Sequence, residues 1–239
     1  MISLLASVRN LDEALEAAAA GADLIDLKEP LAGALGGLET QDITHITGEI
    51  RSRWPRRPVS ATIGDFAPGD HDARCARAAA VAGCGVDYVK AGIEPGEHAH
   101  KALRSLAGLG LPTLVIVFLA DHGVDLPLVQ SAAAMGFAGL MVDTADKSTG
   151  PLLRHADTQA LQSLISIARS HGCLSGLAGS LGPEDVPLLR RLRPDFAGFR
   201  GALCDGDRRG RLDSAKVRAL RTALRAPNSR AASACAVVR

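Results

Sequence analysis

Lys28, Lys90 and Lys147 each stand where a short apolar run ends, and each has an aspartate close before it: Asp26, Asp87 and Asp143. A lysine amine that has lost its proton can attack an aldehyde or ketone and form an imine. The iminium then acts as an electron sink, so a proton can leave the neighbouring carbon. A second lysine can serve as the acid or base for that transfer. Clustering helps, because a nearby positive charge disfavours protonation of an amine. Arginine cannot substitute, since a guanidinium does not deprotonate. This chain carries 22 arginines and only five lysines among its 27 basic residues. A single lysine at a strand end is more commonly a salt bridge or an amine reaching to solvent. Three such lysines in a lysine-poor chain favour chemistry. The other two, Lys101 and Lys216, fall in helix-period segments and read as solvated surface.

The chemistry requires elements that bring residues 28, 90 and 147 to one place, and the chain alternates in a way that supplies them. Apolar runs at Ile2–Ser7, Ala22–Leu27, Val59–Ile63, Asp87–Ala91, Thr113–Leu119, Gly139–Val142, Leu174–Ala178 and Phe196–Phe199 read as strands. Between them lie helix-period segments. Asn10 caps the first, and Gly21 closes it. Thr40 starts one in which Ile43, Ile46, Ile50 and Trp54 share a face. Asp72–Ala82, Glu97–Ala107, a segment capped by Asp125 with Pro127 in its first turn and running to Gly136, Thr158–His171, Pro183–Leu192 and Ser214–Leu224 follow.

Eight strand–helix units in a chain of 239 residues predict a single (β/α)8 TIM barrel over residues 1–225. The tail from residue 226 to 239 is small, polar and unpatterned, and reads as disordered. An open doubly wound sheet is the rival, but Val8-Arg9-Asn10 after the first strand lacks the glycines of a nucleotide-binding turn.

A barrel places its chemistry at the C-terminal ends of its strands. Lys28, Lys90 and Lys147 all fall there, on three different strands. Asp26 points the same way as Lys28 on a period-two strand, and Asp143 ends strand six on the same face. Either aspartate could shuttle protons, or simply be an interior carboxylate held by a lysine. Gly179 and Ser180 follow strand seven, and Arg200 and Gly201 follow strand eight. Barrels acting on phosphorylated substrates often hold the phosphate at those two turns. Glycine lets backbone approach the anion, Ser180 adds a hydroxyl, and Arg200 adds a bidentate partner.

The glycine-rich segment Gly33–Gly37 could close over substrate, or be only a flexible connector. Asp207-Arg208-Arg209-Gly210-Arg211 reads as a solvated charged loop, with a second phosphate as the alternative. His122, beside Asp121 after strand five, is the one histidine placed near the mouth.

The remaining composition excludes whole classes of function. A formal net charge of +1 offers no basic field for nucleic acid or an anionic membrane, and 3% aromatic residues offer little for base stacking. No run approaches the 18 apolar residues of a membrane span, and Met1–Val8 is too short for a secretory signal. Five cysteines without a CxxC pair argue against a disulfide framework and against a zinc site. No histidine spacing suggests a metal, and the expected compartment is the reducing cytoplasm. Ala-rich helix faces suit packing on the barrel or contact between subunits, which leaves the choice between a monomer and a small homo-oligomer open.

The ordered motifs Gly21-Ala22-Asp23-Leu24-Ile25-Asp26-Leu27-Lys28, Gly33-Ala34-Leu35-Gly36, Val59-Ser60-Ala61-Thr62-Ile63-Gly64-Asp65, Asp87-Tyr88-Val89-Lys90, Asp143-Thr144-Ala145 with Lys147, Leu177-Ala178-Gly179-Ser180-Leu181, and Arg200-Gly201-Ala202 with Gly206-Asp207-Arg208 span nearly the whole chain. In these the chain resembles the (5-formylfuran-3-yl)methyl phosphate synthases of methanofuran-type coenzyme biosynthesis. It departs at Glu29, where an uncharged polar residue is expected, and at the end of strand five.

The resemblance implies a barrel that condenses two molecules of glyceraldehyde 3-phosphate, with loss of phosphate and water. It implies Lys28 as the Schiff-base residue and Lys90 as the general acid/base, assisted by Asp26, Asp143 and Lys147. It implies no metal and no organic cofactor. A class I aldolase or another phosphosugar barrel enzyme is the nearest alternative. A non-catalytic barrel that binds phosphorylated metabolites is the alternative of another class.

Overall fold

The computed structural model describes residues 1–121, 123–146 and 150–226. Eight strands alternate with helices along the chain: β1 (Ser3–Val8), β2 (Leu24–Leu27), β3 (Val59–Thr62), β4 (Tyr88–Ile93), β5 (Leu114–Leu119), β6 (Gly139–Asp143), β7 (Leu174–Leu177) and β8 (Phe196–Phe199). All neighbours pair in parallel, and β8 returns to β1, so the sheet closes into a barrel in sequence order. The rival open sheet is thereby excluded. The helices are α1 (Leu11–Ala20), α2 (Thr40–Arg53), α3 (His71–Ala82), α4 (Ala99–Ala107), α5 (Leu126–Ala133), α6 (Leu152–His155), α7 (Thr158–Ser170), α8 (Val186–Leu192) and α9 (Ser214–Arg225).

Local sequence explains most boundaries. The Asn10 side chain accepts the Glu13 N–H at 3.0 Å and starts α1, and Gly21 ends it in the left-handed region at φ +96°. Asp125 caps α5 through Leu128 N–H at 3.0 Å, with Pro127 where no donor is needed. Asp157 caps α7 in the same way through Ala160 N–H.

Two helical features differ from expectation. The segment expected as one helix from Pro183 to Leu192 begins as a 3₁₀ turn, Pro183–Asp185, before α8. Pro187 has no N–H to donate to the carbonyl of residue 183, so an α-helical first bond cannot form there. The short α6 was not anticipated; it sits between β6 and α7, and its first N–H (Leu152) bonds Gly179 O at 2.9 Å.

The core has two layers. Outward-facing strand residues such as Ile25, Val89, Ile116 and Leu140 pack against helix residues such as Leu103, Leu106 and Leu164. Inside the barrel, Leu5, Val115, Val117, Met141 and Phe196 form a second cluster. Phe196 fills the space beside Gly176, where an added Cβ would stand 2.2 Å from its ring. This packed interior closes the base, so polar inward-facing residues gather only toward the C-terminal mouth. Among the described residues no helix is long and apolar enough to cross a membrane.

Candidate active site

Asp26, on β2, is fully buried beneath the mouth. Strand register sets its neighbours, for Ser7 of β1 and Ser60 of β3 both stand level with it. Ser60 Oγ donates to Asp26 Oδ1 at 2.6 Å, and Ser7 Oγ donates to Oδ2 at 3.0 Å. Lys90 Nζ, from β4, spans the carboxylate and lies 2.9 Å from each oxygen. The ion pair is almost completely dry, with side-chain exposures of 3% and 0%. Burial alone would raise the Asp26 carboxyl. The charges of Lys90 and Lys28 and the Ser60 hydrogen bond outweigh it and hold the group below the usual carboxylate value.

Lys28 follows directly on the last residue of β2 and is buried. Its Nζ donates to the carbonyl oxygen of Ala34 at 2.9 Å. That carbonyl belongs to the glycine-rich segment 29–37, which lies folded into the mouth. Leu35 is fully buried there, in the interior cluster with Val115, Val117 and Leu119. Leu35 N–H donates to Asp65 at 3.2 Å, and Gly36 O accepts from Glu29 N–H and Thr62 Oγ1, each at 2.8 Å. At Gly33 the backbone is left-handed (φ +112°), and a Cβ would meet Asp65 Oδ2 at 1.9 Å, so the turn requires glycine. Of the two readings of this segment, a closure over the substrate and a flexible connector, the pinning over Lys28 favours the first.

A cavity of about 430 Å³ opens above these groups. It is lined by Lys28, Lys90 and Asp143, by the turns 178–182 and 200–202, and by Arg208. The structure therefore gathers Lys28, Lys90, Asp143, Gly179, Ser180, Arg200 and Gly201 around one volume, with Asp26 directly beneath. Asp143 is buried and accepts the Thr144 N–H at 2.8 Å. Gly179 and Ser180 have φ of +107° and +51°. A left-handed serine costs on the order of 1–2 kcal/mol, and such backbone strain is concentrated at functional sites. The Gly179 carbonyl is taken by Leu152 N–H, so the trans peptide directs the Ser180 N–H away from α6. Lys147 and His122 lie outside the described residues.

Arg200 lines the cavity. Its guanidinium was expected to hold a phosphate, yet all five of its N–H groups have protein partners. Nε donates to Arg208 O at 2.8 Å, and Nη1 to Ser7 O at 3.2 Å and to Glu13 Oε2. Nη2 donates to Glu13 Oε1 at 3.2 Å and to Gly210 O at 3.0 Å. With Glu13 only 4% exposed, this is an internal strut between α1 and the loop after β8.

Lys216 lies on α9 with its side chain partly exposed, as expected, and its Nζ also ties down that same loop at Cys204 O (2.6 Å) and Asp205 (3.1 Å). Residues missed in the sequence include Ser7 and Ser60, which strand register would have placed beside Asp26. Asp121 was another, its carboxylate accepting the Ala145 and Asp146 N–H groups at 2.6 and 2.9 Å and shaping the turn that precedes Lys147.

Known proteins resemble this chain over nearly its whole length. A model of the 4-HFC-P synthase family matches residues 4–221. A protein of Methylorubrum extorquens, provisionally named a (5-formylfuran-3-yl)methyl phosphate synthase, is 41% identical over 224 residues, covering 93% of this chain and 92% of its own. The (5-formylfuran-3-yl)methyl phosphate synthase of Methanopyrus kandleri is 37% identical over 241 residues, covering 92% and 98%. Among solved structures, phosphoribosyl anthranilate isomerase from Thermotoga maritima superposes with a TM-score of 0.63 at 17% identity, covering 94% of this chain and 98% of that one, a likeness of fold.

Proposed function

This chain belongs to the 4-HFC-P synthase family, and from that premise we propose that it condenses two molecules of glyceraldehyde 3-phosphate to (5-formylfuran-3-yl)methyl phosphate through an imine on Lys28. The observation that carries the reading is the placement of the Lys28 amine beside the buried Lys90–Asp26 ion pair, in one cavity with the turns after β7 and β8.

Lys28 attacks the carbonyl of one triose phosphate, and water leaves as the iminium forms. The iminium draws electrons, and Lys90 with its carboxylate partner Asp26 moves the proton that leaves the adjacent carbon. The resulting enamine attacks the aldehyde of the second triose and makes the carbon–carbon bond. Asp143 and Lys147 assist the later proton transfers. One phosphate is expelled, the chain cyclises, and dehydration gives the aromatic furan. One water hydrolyses the imine and returns the Lys28 amine, so that two trioses become one furan phosphate, one inorganic phosphate and a net two waters. The turns at Gly179-Ser180 and Gly201 receive a phosphate on backbone groups and the Ser180 hydroxyl, with Arg200 bracing the second turn from behind.

Borohydride reduction in the presence of glyceraldehyde 3-phosphate, followed by peptide mass mapping, tests the imine. A mass adduct on the Lys28 peptide supports it, and no adduct on any peptide overturns it. Product absorbance separates this reading from a class I aldolase, which would stop at the open-chain adduct. Glyceraldehyde 3-phosphate alone must then yield a furan-aldehyde chromophore.

A further inference from the structure

Among the described residues, four cationic side chains line the cavity: Lys28, Lys90, Arg200 and Arg208. Three of them are committed. Lys28 is the proposed nucleophile, Lys90 is spanned by Asp26, and every N–H of Arg200 is taken. Arg208 differs. Its Nη2 donates to Pro30 O at 2.7 Å and to Gly33 O at 3.1 Å, and among the described residues its Nε and Nη1 make no hydrogen bond. The guanidinium is half-buried, with both Nη2 N–H groups on the segment 29–37 and the donors of Nε and Nη1 unspent. Its backbone is held by Arg200 Nε, and Gly201 has room for only ordinary contact with the Arg208 backbone nitrogen, 3.8 Å from where a Cβ would stand. The rim also carries two carboxylates, Glu184 and Asp207. Both are exposed, and Asp207 is already paired with Arg209 at 2.8 Å.

We infer that Arg208 is the cation that binds the phosphate of the imine-forming substrate, and that its grip on Pro30 and Gly33 ties this binding to the cap over Lys28. The inference rests on the proposed imine chemistry for its catalytic meaning, but not for the binding itself. With both N–H groups of Nη2 taken, Nη1 remains to give a charge-assisted hydrogen bond to a phosphate oxygen, and the guanidinium keeps its charge throughout. The backbone of the turns after β7 and β8 completes the cradle. Because Pro30, Gly33 and Ala34 belong to one pinned segment, the side chain that meets the phosphate also holds the carbonyls next to the one resting on Lys28 Nζ. Substrate arrival and release of the amine then act on the same nine residues, 29–37.

Two measurements on the full chain test this. Calorimetric titration with inorganic phosphate should show binding to the wild type, weakened at least tenfold in Arg208→Gln and less in Arg208→Lys. Unchanged affinity in Arg208→Gln overturns the inference. Borohydride trapping should then be compared for glyceraldehyde 3-phosphate and unphosphorylated glyceraldehyde. Arg208→Gln should lose adduct with the phosphorylated aldehyde while retaining it with glyceraldehyde. An equal loss with both, in a variant of wild-type melting temperature, makes Arg208 a structural latch and overturns it. If the wild type traps neither aldehyde, the imine reading fails, while the phosphate titration still decides for or against Arg208. Arg208→Lys keeps the charge and serves where Arg208→Gln does not fold.

Discussion

Lys28 Nζ rests 2.9 Å from the carbonyl oxygen of Ala34, so the segment that follows the strand lies on the amine it must release. Leu35, the next residue, is fully buried in the barrel interior and anchors that contact. The cap and the nucleophile are therefore one local unit, positioned by the Leu35 side chain together with Asp65 and Arg208.

Lys28→Arg should fold normally and be inactive. Arginine keeps the positive charge and can still donate to Ala34 O, but it cannot form an imine. The expected outcome is a melting temperature close to wild type with no borohydride adduct and no furan chromophore. An active Lys28→Arg variant would falsify the assignment of the nucleophile.

Leu35→Ala should loosen the cap. Removing a fully buried leucine side chain costs about 2–5 kcal/mol where it is coupled to the global fold. Because residues 29–37 form a surface segment, part of this should appear as local opening instead. Hydrogen exchange at residues 33–37 should accelerate more than exchange in β5, which supplies Val115 and Val117 to the same cluster.

Asp26→Asn should break the buried ion pair and leave Lys90 facing an amide. Removing one partner of such a pair costs about 3–5 kcal/mol. The pH dependence has a definite sign. The folded carboxyl lies below its unfolded value of about 3.9, so its contribution is present above that pH and is lost as pH falls through the lower folded value. Wild-type stability should thus fall on the acid side below about pH 4, and the slope there should be shallower in Asp26→Asn. Urea melts across that range measure it.

Ser60→Ala should move the same acid limb upward in pH, because it deletes a 2.6 Å hydrogen bond that favours the charged carboxylate. A hydrogen bond to a charged group is worth about 1.5–3 kcal/mol. The rate should fall with little change in KM, since Ser60 touches Asp26 and does not line the cavity. An unchanged acid limb would argue that Ser7 and Lys90 alone hold Asp26 in place.

Arg200→Lys should destabilise the loop after β8. An ammonium has three donors and cannot serve Glu13, Ser7 O, Gly210 O and Arg208 O together. The buried Glu13 would be poorly compensated, at a cost of about 3–5 kcal/mol if its partner is effectively lost. KM for the phosphorylated substrate should rise, because the turn that Arg200 braces would no longer be held.

The local chemistry of the chain determined its elements. Asn10, Gly21, Asp125 with Pro127, and the runs that became β1 to β8 act over a few residues, so a linear reading finds them. Eight such units predict a closed barrel, and a barrel brings strand ends together, which is why Lys28, Lys90 and Asp143 could be placed at one mouth before any coordinates. How each charged group is used could not be read this way. Lys90 meets Asp26 across 64 residues, and Arg200 meets Glu13 and Ser7 across 187 and 193. Strand register decides the first pairing, and the closure of β8 on β1 decides the second. A guanidinium in a sequence is simply a cation. Only the tertiary structure, by counting which of its donors are already satisfied, separates the strut at Arg200 from the unspent donors at Arg208.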